Sequence, residues 1–296
     1  MRPEIAVLDI QGQYRVYTEF YRAEAAAKTI ILVNGSLATT ASFAQTVRSL
    51  NADFNVVLYD QPYAGKSKPH NIHEKALTKD EEAHILVELI DHFAAEHVMS
   101  FSWGGASTLL ALAKRPRCIE KAIISSFSPV LNEHMRDYLN RGVTHLSAGN
   151  RNEVGHLVND TIGKHLPSLF KRFNYRHVSS LDLHEYAQMN FHISEVLRCD
   201  LGDTLDRARA INVPVLFVNG EWDEYTTHHE ARSFAQHVQD SHFTCIQSTG
   251  HFLDMEHKAA CRDTRLALMD FLQPHSHKTH IRYQHRHQAG QHALAL

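Results

Sequence analysis

Ser100-Phe101-Ser102-Trp103-Gly104-Gly105 closes a β-prone run, His97 to Phe101, and opens a helical one, Gly104 to Lys114. A serine at such a junction stands on a tight strand-to-helix turn that pushes its hydroxyl up and out, the geometry of a nucleophile elbow. The turn demands small residues two places before and two places after the serine, and Ser100 and Gly104 meet that demand. The Trp103 N–H falls in the first turn of the helix, where donors are unpaired and the dipole is positive, so it is a candidate oxyanion donor. A serine in a turn is also an ordinary structural residue, and Ser102 alone decides nothing.

The surrounding pattern supplies the context. Thr29–Val33, Asn55–Tyr59, His97–Phe101, Lys121–Ser125, Val213–Val218 and His242–Ile246 read as short buried strands. Helical spacing separates them: Phe43, Val47 and Leu50; then Leu86, Leu89, Ile90 and Phe93 behind the capping box Thr78-Lys79-Asp80-Glu81; then Gly104–Lys114, Thr227–Val238 and Glu256–Leu272. This alternation predicts an α/β fold, with a mainly parallel sheet covered on both faces. In such sheets the chemistry gathers at the carboxyl ends of the strands.

Residues 129–200 break the alternation. Met135, Tyr138, Leu139 and Gly142, then Leu157, Val158 and Ile162, keep helical spacing without a convincing strand. The segment reads as a helical cap over the strand ends. It divides the core into 1–128 and 201–272 and leaves a His-rich tail at 273–296. Phe170, Phe173, Tyr186, Met189 and Phe191 are the cap side chains expected either to line a pocket or to form ordinary cap core.

Two further loops follow predicted strands. Asn219-Gly220-Glu221-Trp222-Asp223-Glu224 places Asp223 to orient a histidine, with Glu221 and Glu224 read as solvated neighbours. Ser248-Thr249-Gly250-His251-Phe252 puts His251 in a glycine-containing loop. The order Ser102, Asp223, His251 is that of the α/β-hydrolase triad, not of chymotrypsin or subtilisin. Asn34-Gly35-Ser36-Leu37 follows the first apolar strand, and the Ser36 N–H is a candidate second oxyanion donor. Asp60-Gln61-Pro62-Tyr63-Ala64-Gly65-Lys66-Ser67 ends like a P-loop, but Asp60 stands where the first glycine is required, so phosphate cradling fails.

Composition removes other classes. The chain has 296 residues and a formal charge of -3, so no strong field favours nucleic acid. The most apolar uncharged stretch, Val98 to Ala113, is too short and too rich in Ser, Thr and Gly to span a membrane. Met1 to Ile5 carries no signal core, which predicts a chain that stays inside the cell. Cys118, Cys199, Cys245 and Cys261 are scattered, against both a zinc ribbon and a disulfide scaffold. His275, His277, His280, His285, His287 and His292 crowd the tail, which reads as a polar unpatterned terminus rather than a metal site. No H-E-x-x-H and no acidic calcium loop is present, so neither a metal nor a cofactor is expected.

The run Leu32 to Phe43, with Ser102-Trp103-Gly104-Gly105, Asn219 to Thr227 and Gly250-His251-Phe252-Leu253-Asp254, resembles the 3-(3-hydroxyacyloxy)alkanoate synthases of rhamnolipid biosynthesis. These are a branch of the α/β-hydrolase superfamily, and their traditional name of rhamnosyltransferase notwithstanding they are acyltransferases. The resemblance covers about 28–272 and includes Gly155-His156-Leu157 and Gly163-Lys164. Asn34 replaces the usual His of the general motif, and Ser100 the usual Gly, as in that branch. It implies a cytoplasmic acyltransferase that joins two 3-hydroxyacyl chains through an acyl-serine intermediate. The chains would arrive as thioesters on acyl carrier protein or coenzyme A. It implies no cofactor and no nucleic acid, hand-over of the product to a separate glycosyltransferase, and at most a loose peripheral contact with the inner membrane. The residues themselves leave two other readings open: a serine hydrolase acting as thioesterase or esterase, and a non-catalytic acyl-binding subunit of a glycosyltransferase. Lys164, Lys171, Arg172 and Arg176 lie between Thr161 and Leu181 with no acid among them. They suit an acidic carrier or an ordinary solvated helix face.

Overall fold

The computed structural model describes residues 2–25, 27–72, 75–199 and 201–273; nearly all of the His-rich tail, 274–296, lies outside the described residues. The chain runs β1 (Glu4–Ile10), β2 (Tyr14–Tyr21), β3 (Thr29–Val33), α1 (Ala44–Leu50), β4 (Asn55–Tyr59), α2 (Lys79–Phe93), β5 (His97–Phe101), α3 (Gly104–Ala113) and β6 (Lys121–Ser125). Four helices follow: α4 (Glu133–Ser147), α5 (Arg151–Asp160), α6 (Ser168–Ser180) and α7 (Leu183–Cys199). Then come α8 (Gly202–Ala208), β7 (Val215–Gly220), α9 (His228–Ala231), β8 (Ser241–Ile246) and α10 (Lys258–Leu272).

The strands form one eight-stranded sheet in the order β1-β2-β4-β3-β5-β6-β7-β8. From β4 to β8 every neighbouring pair is parallel; β1 and β2 join antiparallel at one edge. Parallel strands need apolar cover on both sides. One face of the sheet packs on α2, α3 and α8 through residues such as Leu86, Leu109 and Ala208. The opposite face packs on α1 and α10 through Val47, Leu50, Leu268 and Leu272. The predicted α/β architecture is therefore the one observed.

Differences from the sequence expectation are local. The hairpin β1–β2 is an addition, because the N-terminal residues carry no motif. Its signals are the alternating Tyr14-Arg15-Val16-Tyr17-Thr18 and the Gln11-Gly12 pair at φ +53° and +72°, which suits a tight hairpin turn. The continuous helix expected over Thr227–Val238 is a four-residue helix, α9, followed by a 3-10 turn at Arg232–Gln236.

Helices α4–α7 intervene between β6 and β7. Their buried residues, among them Leu139, Val154, Val178 and Ile193, form a third cluster that includes Trp103 of the core. Several bonds fasten these helices down. Lys68 reaches Asp182 at 2.7 Å and Glu185 at 2.8 Å. Gln188 bonds both the N–H and the C=O of Leu77, each at 2.8 Å. His177 Nε2 lies 2.6 Å from the Leu37 carbonyl oxygen.

Candidate active site

β5 runs straight into Ser102, whose φ of +51° is the strained left-handed conformation of an elbow. The turn is held by the Ser102 N–H donating to Ser125 O at 2.8 Å, and by the Gly105 N–H donating to Ser102 O at 2.8 Å. The crowding explains the small neighbours. A Cβ on Gly104 would lie 2.5 Å from the Asn34 carbonyl oxygen, and one on Gly105 would lie 2.7 Å from the Phe127 ring.

Ser102, Asp223 and His251 come together across three strand ends. His251 Nε2 stands 3.1 Å from Ser102 Oγ, and its Nδ1 stands 2.8 Å from Asp223 Oδ2. The carboxylate accepts the Nδ1 proton, which leaves Nε2 to accept from the serine hydroxyl. Asp223 is further held by the N–H groups of Tyr225 and Thr226 at 3.0 and 3.1 Å and by the Thr226 hydroxyl at 2.5 Å. Burial alone would raise this carboxyl, but His251 and Thr226 outweigh it and keep it below its ordinary range. The imidazole is buried, 2% exposed, with Phe101 and Phe252 edge-on against it.

Supports of the His251 loop carried no signal in the sequence. Buried Glu256 accepts the N–H groups on either side of the histidine, Gly250 at 2.7 Å and Phe252 at 3.0 Å. The Ser126 hydroxyl donates to the His251 carbonyl at 2.6 Å. Glu221 accepts from the Ser248 N–H at 2.8 Å, and Glu224 pairs with Lys164 at 2.6 Å. Both carboxylates face outward, as expected, yet both are engaged. Asp60 serves the loop rather than any phosphate: its carboxylate accepts the N–H groups of Thr40 and Lys66 at 2.7 and 2.8 Å.

The loop after β3 passes beside the elbow, where a Cβ on Gly35 would lie 3.1 Å from Ser102 Cβ. Ser36 and Trp103 both border the cavity that opens at Ser102 and His251. The space is about 120 Å³ and mainly apolar. Met135, Leu139, Leu157, Val178, Met189 and Ile193 wall it from the helical insertion. Of the five cap side chains singled out in the sequence, Met189 alone lines it. Phe191 borders a second cavity of about 280 Å³ on the far side of Trp103, Met135 and Leu139. Tyr186 is cap core, with its hydroxyl donating to Val178 O, while Phe173 is 54% exposed and Phe170 is half-buried. The lining from the insertion is mainly aliphatic and follows the helical stripes of α4, α5, α6 and α7, which aromatic content alone did not mark.

No group of His, Cys, Asp and Glu among the described residues could hold a metal ion. No helix among the described residues is long and apolar enough to cross a membrane.

Comparison with known proteins gives three findings. The family model described as "Serine aminopeptidase, S33" matches residues 24–258. A protein of Ectopseudomonas oleovorans named "(R)-3-hydroxydecanoyl-ACP:CoA transacylase" is 70% identical over all of both chains, and a Pseudomonas putida protein of the same name is 69% identical over the same span. Among solved structures, MGS-M2, an alpha/beta hydrolase enzyme from a deep-sea metagenome library, superposes with a TM-score of 0.73, covering 94% of this chain and all of that one at 18% identity.

Proposed function

This chain belongs to the serine aminopeptidase S33 family, with the α/β-hydrolase fold, and from that premise we propose that it moves a 3-hydroxyacyl group from acyl carrier protein through an ester on Ser102. It is an acyltransferase, as the named relatives are. The observation that carries the mechanism is the unbroken chain of contacts Ser102–His251–Asp223 at the mouth of an apolar cavity.

His251 Nε2 takes the Ser102 proton as Oγ attacks the thioester carbonyl. Asp223 keeps the ring in the required tautomer and stabilises the imidazolium. The N–H groups of Trp103 and Ser36 receive the oxyanion, each donor worth about 3 kcal/mol of barrier. The C–S bond breaks, the carrier thiolate takes the proton from His251, and the acyl group stays on the serine. An acceptor then gives its proton to His251 and attacks the ester, and Ser102 regains its hydrogen.

The relatives' name makes the acceptor the thiol of coenzyme A, with 3-hydroxyacyl-CoA as product. The second cavity, which shares Trp103, Met135 and Leu139 with the first, would hold the tail of another acceptor, the 3-hydroxyl of a further chain. Its product is a 3-(3-hydroxyacyloxy)alkanoate, the lipid precursor that a separate glycosyltransferase would take. In either case water must lose. It is present at about 55 M, whereas a positioned acceptor acts at an effective molarity of about 10⁵ M or more, provided the site is dry. The cap, which we place at residues 129–200, supplies that dryness. Loose contact with the inner membrane would bring the protein to the point where the product is used.

Incubation with 3-hydroxydecanoyl carrier protein and coenzyme A, read by mass spectrometry, tests the proposal. Acyl-CoA or the ester dimer is expected, and neither from Ser102→Ala. Free acid alone would make the protein a hydrolase. Full product from Ser102→Ala would leave it a binding subunit.

A further inference from the structure

On its core side the cavity is bordered by α1 and α10, and polar side chains interrupt its apolar wall there, among them Thr46, Asp254 and Thr264. The Thr46 hydroxyl donates to Asp254 Oδ2 at 2.9 Å. Among the described residues no cation pairs with this carboxyl. Asp254 is partly exposed and borders the cavity. Burial pushes its carboxyl up to about 6, against the opposing pull of Thr46 and its own backbone N–H. Thr264 is 2% exposed, and its hydroxyl has no hydrogen-bond partner.

Buried polar groups without partners are costly and uncommon in folded proteins. One such group, the Thr264 hydroxyl, borders the cavity that holds the reacting serine together with a carboxyl that Thr46 bonds at one oxygen, and the pair points to a ligand that completes their bonding. The ligand chemistry must be a hydroxyl on an otherwise apolar chain. Phe43, Met99 and Met255 exclude a polar headgroup around the niche, and a hydroxyl both donates, to a carboxylate, and accepts, from a threonine.

We propose that Asp254 and Thr264, with Thr46 orienting the carboxyl, bind the 3-hydroxyl of the acyl chain and set the preference for hydroxylated over plain chains. This rests on the acyl-transfer reading. The hydroxyl donates to Asp254 and accepts from Thr264 Oγ. A plain chain strips both groups of water, leaves the Thr264 hydroxyl unpaired and gives the Asp254 carboxyl nothing beyond its bond from Thr46, the situation in which a site rejects a substrate most strongly. With the carbonyl fixed at Ser102 and the alkyl tail confined to the apolar cavity, a recognition point for the hydroxyl also selects one hand at C3.

The test compares acylation of Ser102 by 3-hydroxydecanoyl and decanoyl thioesters, and by the two 3-hydroxy enantiomers, in wild type, Thr264→Val and Asp254→Leu. The wild type is expected to prefer the hydroxylated chain. The ratio of kcat/KM for hydroxylated over plain substrate is expected to fall about tenfold or more in each variant, and discrimination between enantiomers to fall with it. Thr264→Val conserves volume, so it reports even if Asp254→Leu folds poorly. Ratios that stay at the wild-type value in Thr264→Val, or a wild type indifferent to the hydroxyl while forming the acyl-serine, would overturn the proposal alone. No acyl adduct on wild-type Ser102 from either thioester would overturn the acyl-transfer reading and this proposal with it.

Discussion

Gly104 and Asn34 meet backbone to backbone: a methyl group on the Gly104 α-carbon would stand 2.5 Å from the Asn34 carbonyl oxygen and 3.0 Å from that of Val33. The elbow and the loop after β3 are thus set against each other with no room between them. Gly104→Ala must push the two apart, and a displacement near 1 Å costs on the order of 10²-fold in rate. A fall of that size in kcat/KM with the protein still folded by circular dichroism is expected. A rate within threefold of wild type would show that the contact is slack.

Asp223→Asn should keep the fold, because Asn can still accept the bonds from Tyr225 and Thr226. It presents the wrong partner to His251 Nδ1, and the loss in kcat should be about 10⁴. Pre-steady-state acylation by an activated thioester measures it.

Glu82 is a buried carboxyl facing the helical insertion at His192 of α7. It takes hydrogen bonds from Tyr63 at 2.8 Å and Lys79 at 2.7 Å, and His192 lies 3.7 Å away. Burial pushes this carboxyl up, but Lys79 leads the groups that outweigh it and hold it below its ordinary value. His192 is driven down to about 4 by its own burial and donates Nε2–H to Leu77 O, so the charge on Glu82 is balanced by Lys79. A depressed carboxylate stabilises the fold above its unfolded pKa and loses that contribution as pH falls through the folded value. Glu82→Gln should therefore cost about 3 kcal/mol near neutrality, at the low end for a buried pair because Lys79 partly reaches water. The gap between wild type and variant in thermal midpoint should close progressively below about pH 4.5.

Arg172 and Arg176 stand exposed on α6 beside Leu169 and Phe173, and Lys171 is nearby, whereas Lys164 is committed to Glu224. If the carrier protein docks here, Lys171→Glu with Arg172→Glu should raise KM for carrier-linked substrate about tenfold, and salt should have the same effect on the wild type. Equal kinetics for the double variant would assign the charges to solvation alone.

The core was legible because parallel strands and their helices write strong periodicities, and because Ser102, Asp223 and His251 each follow a strand. The hairpin β1–β2 was not, since an edge pair needs little hydrophobic content and carries no chemistry. Which of the five cap side chains meet the cavity stayed open in the sequence for a related reason. Tyr186 and Phe173 are conspicuous as residues, but whether a side chain meets a cavity, the cap interior or water depends on tertiary packing that no local pattern records. Thr46, Asp254 and Thr264 lie in separate segments and acquire meaning only once α1, the turn after His251 and α10 are folded against one another.

Because the helical insertion is tied to the core at Lys68, Leu77 and Leu37, opening it as a hinged flap would break all of these bonds at once. A fatty tail must then slide in and withdraw along its own axis. Each added methylene retains about 0.8 kcal/mol, so exit should slow roughly fourfold per carbon. The enzyme would measure length by how long its guests take to leave.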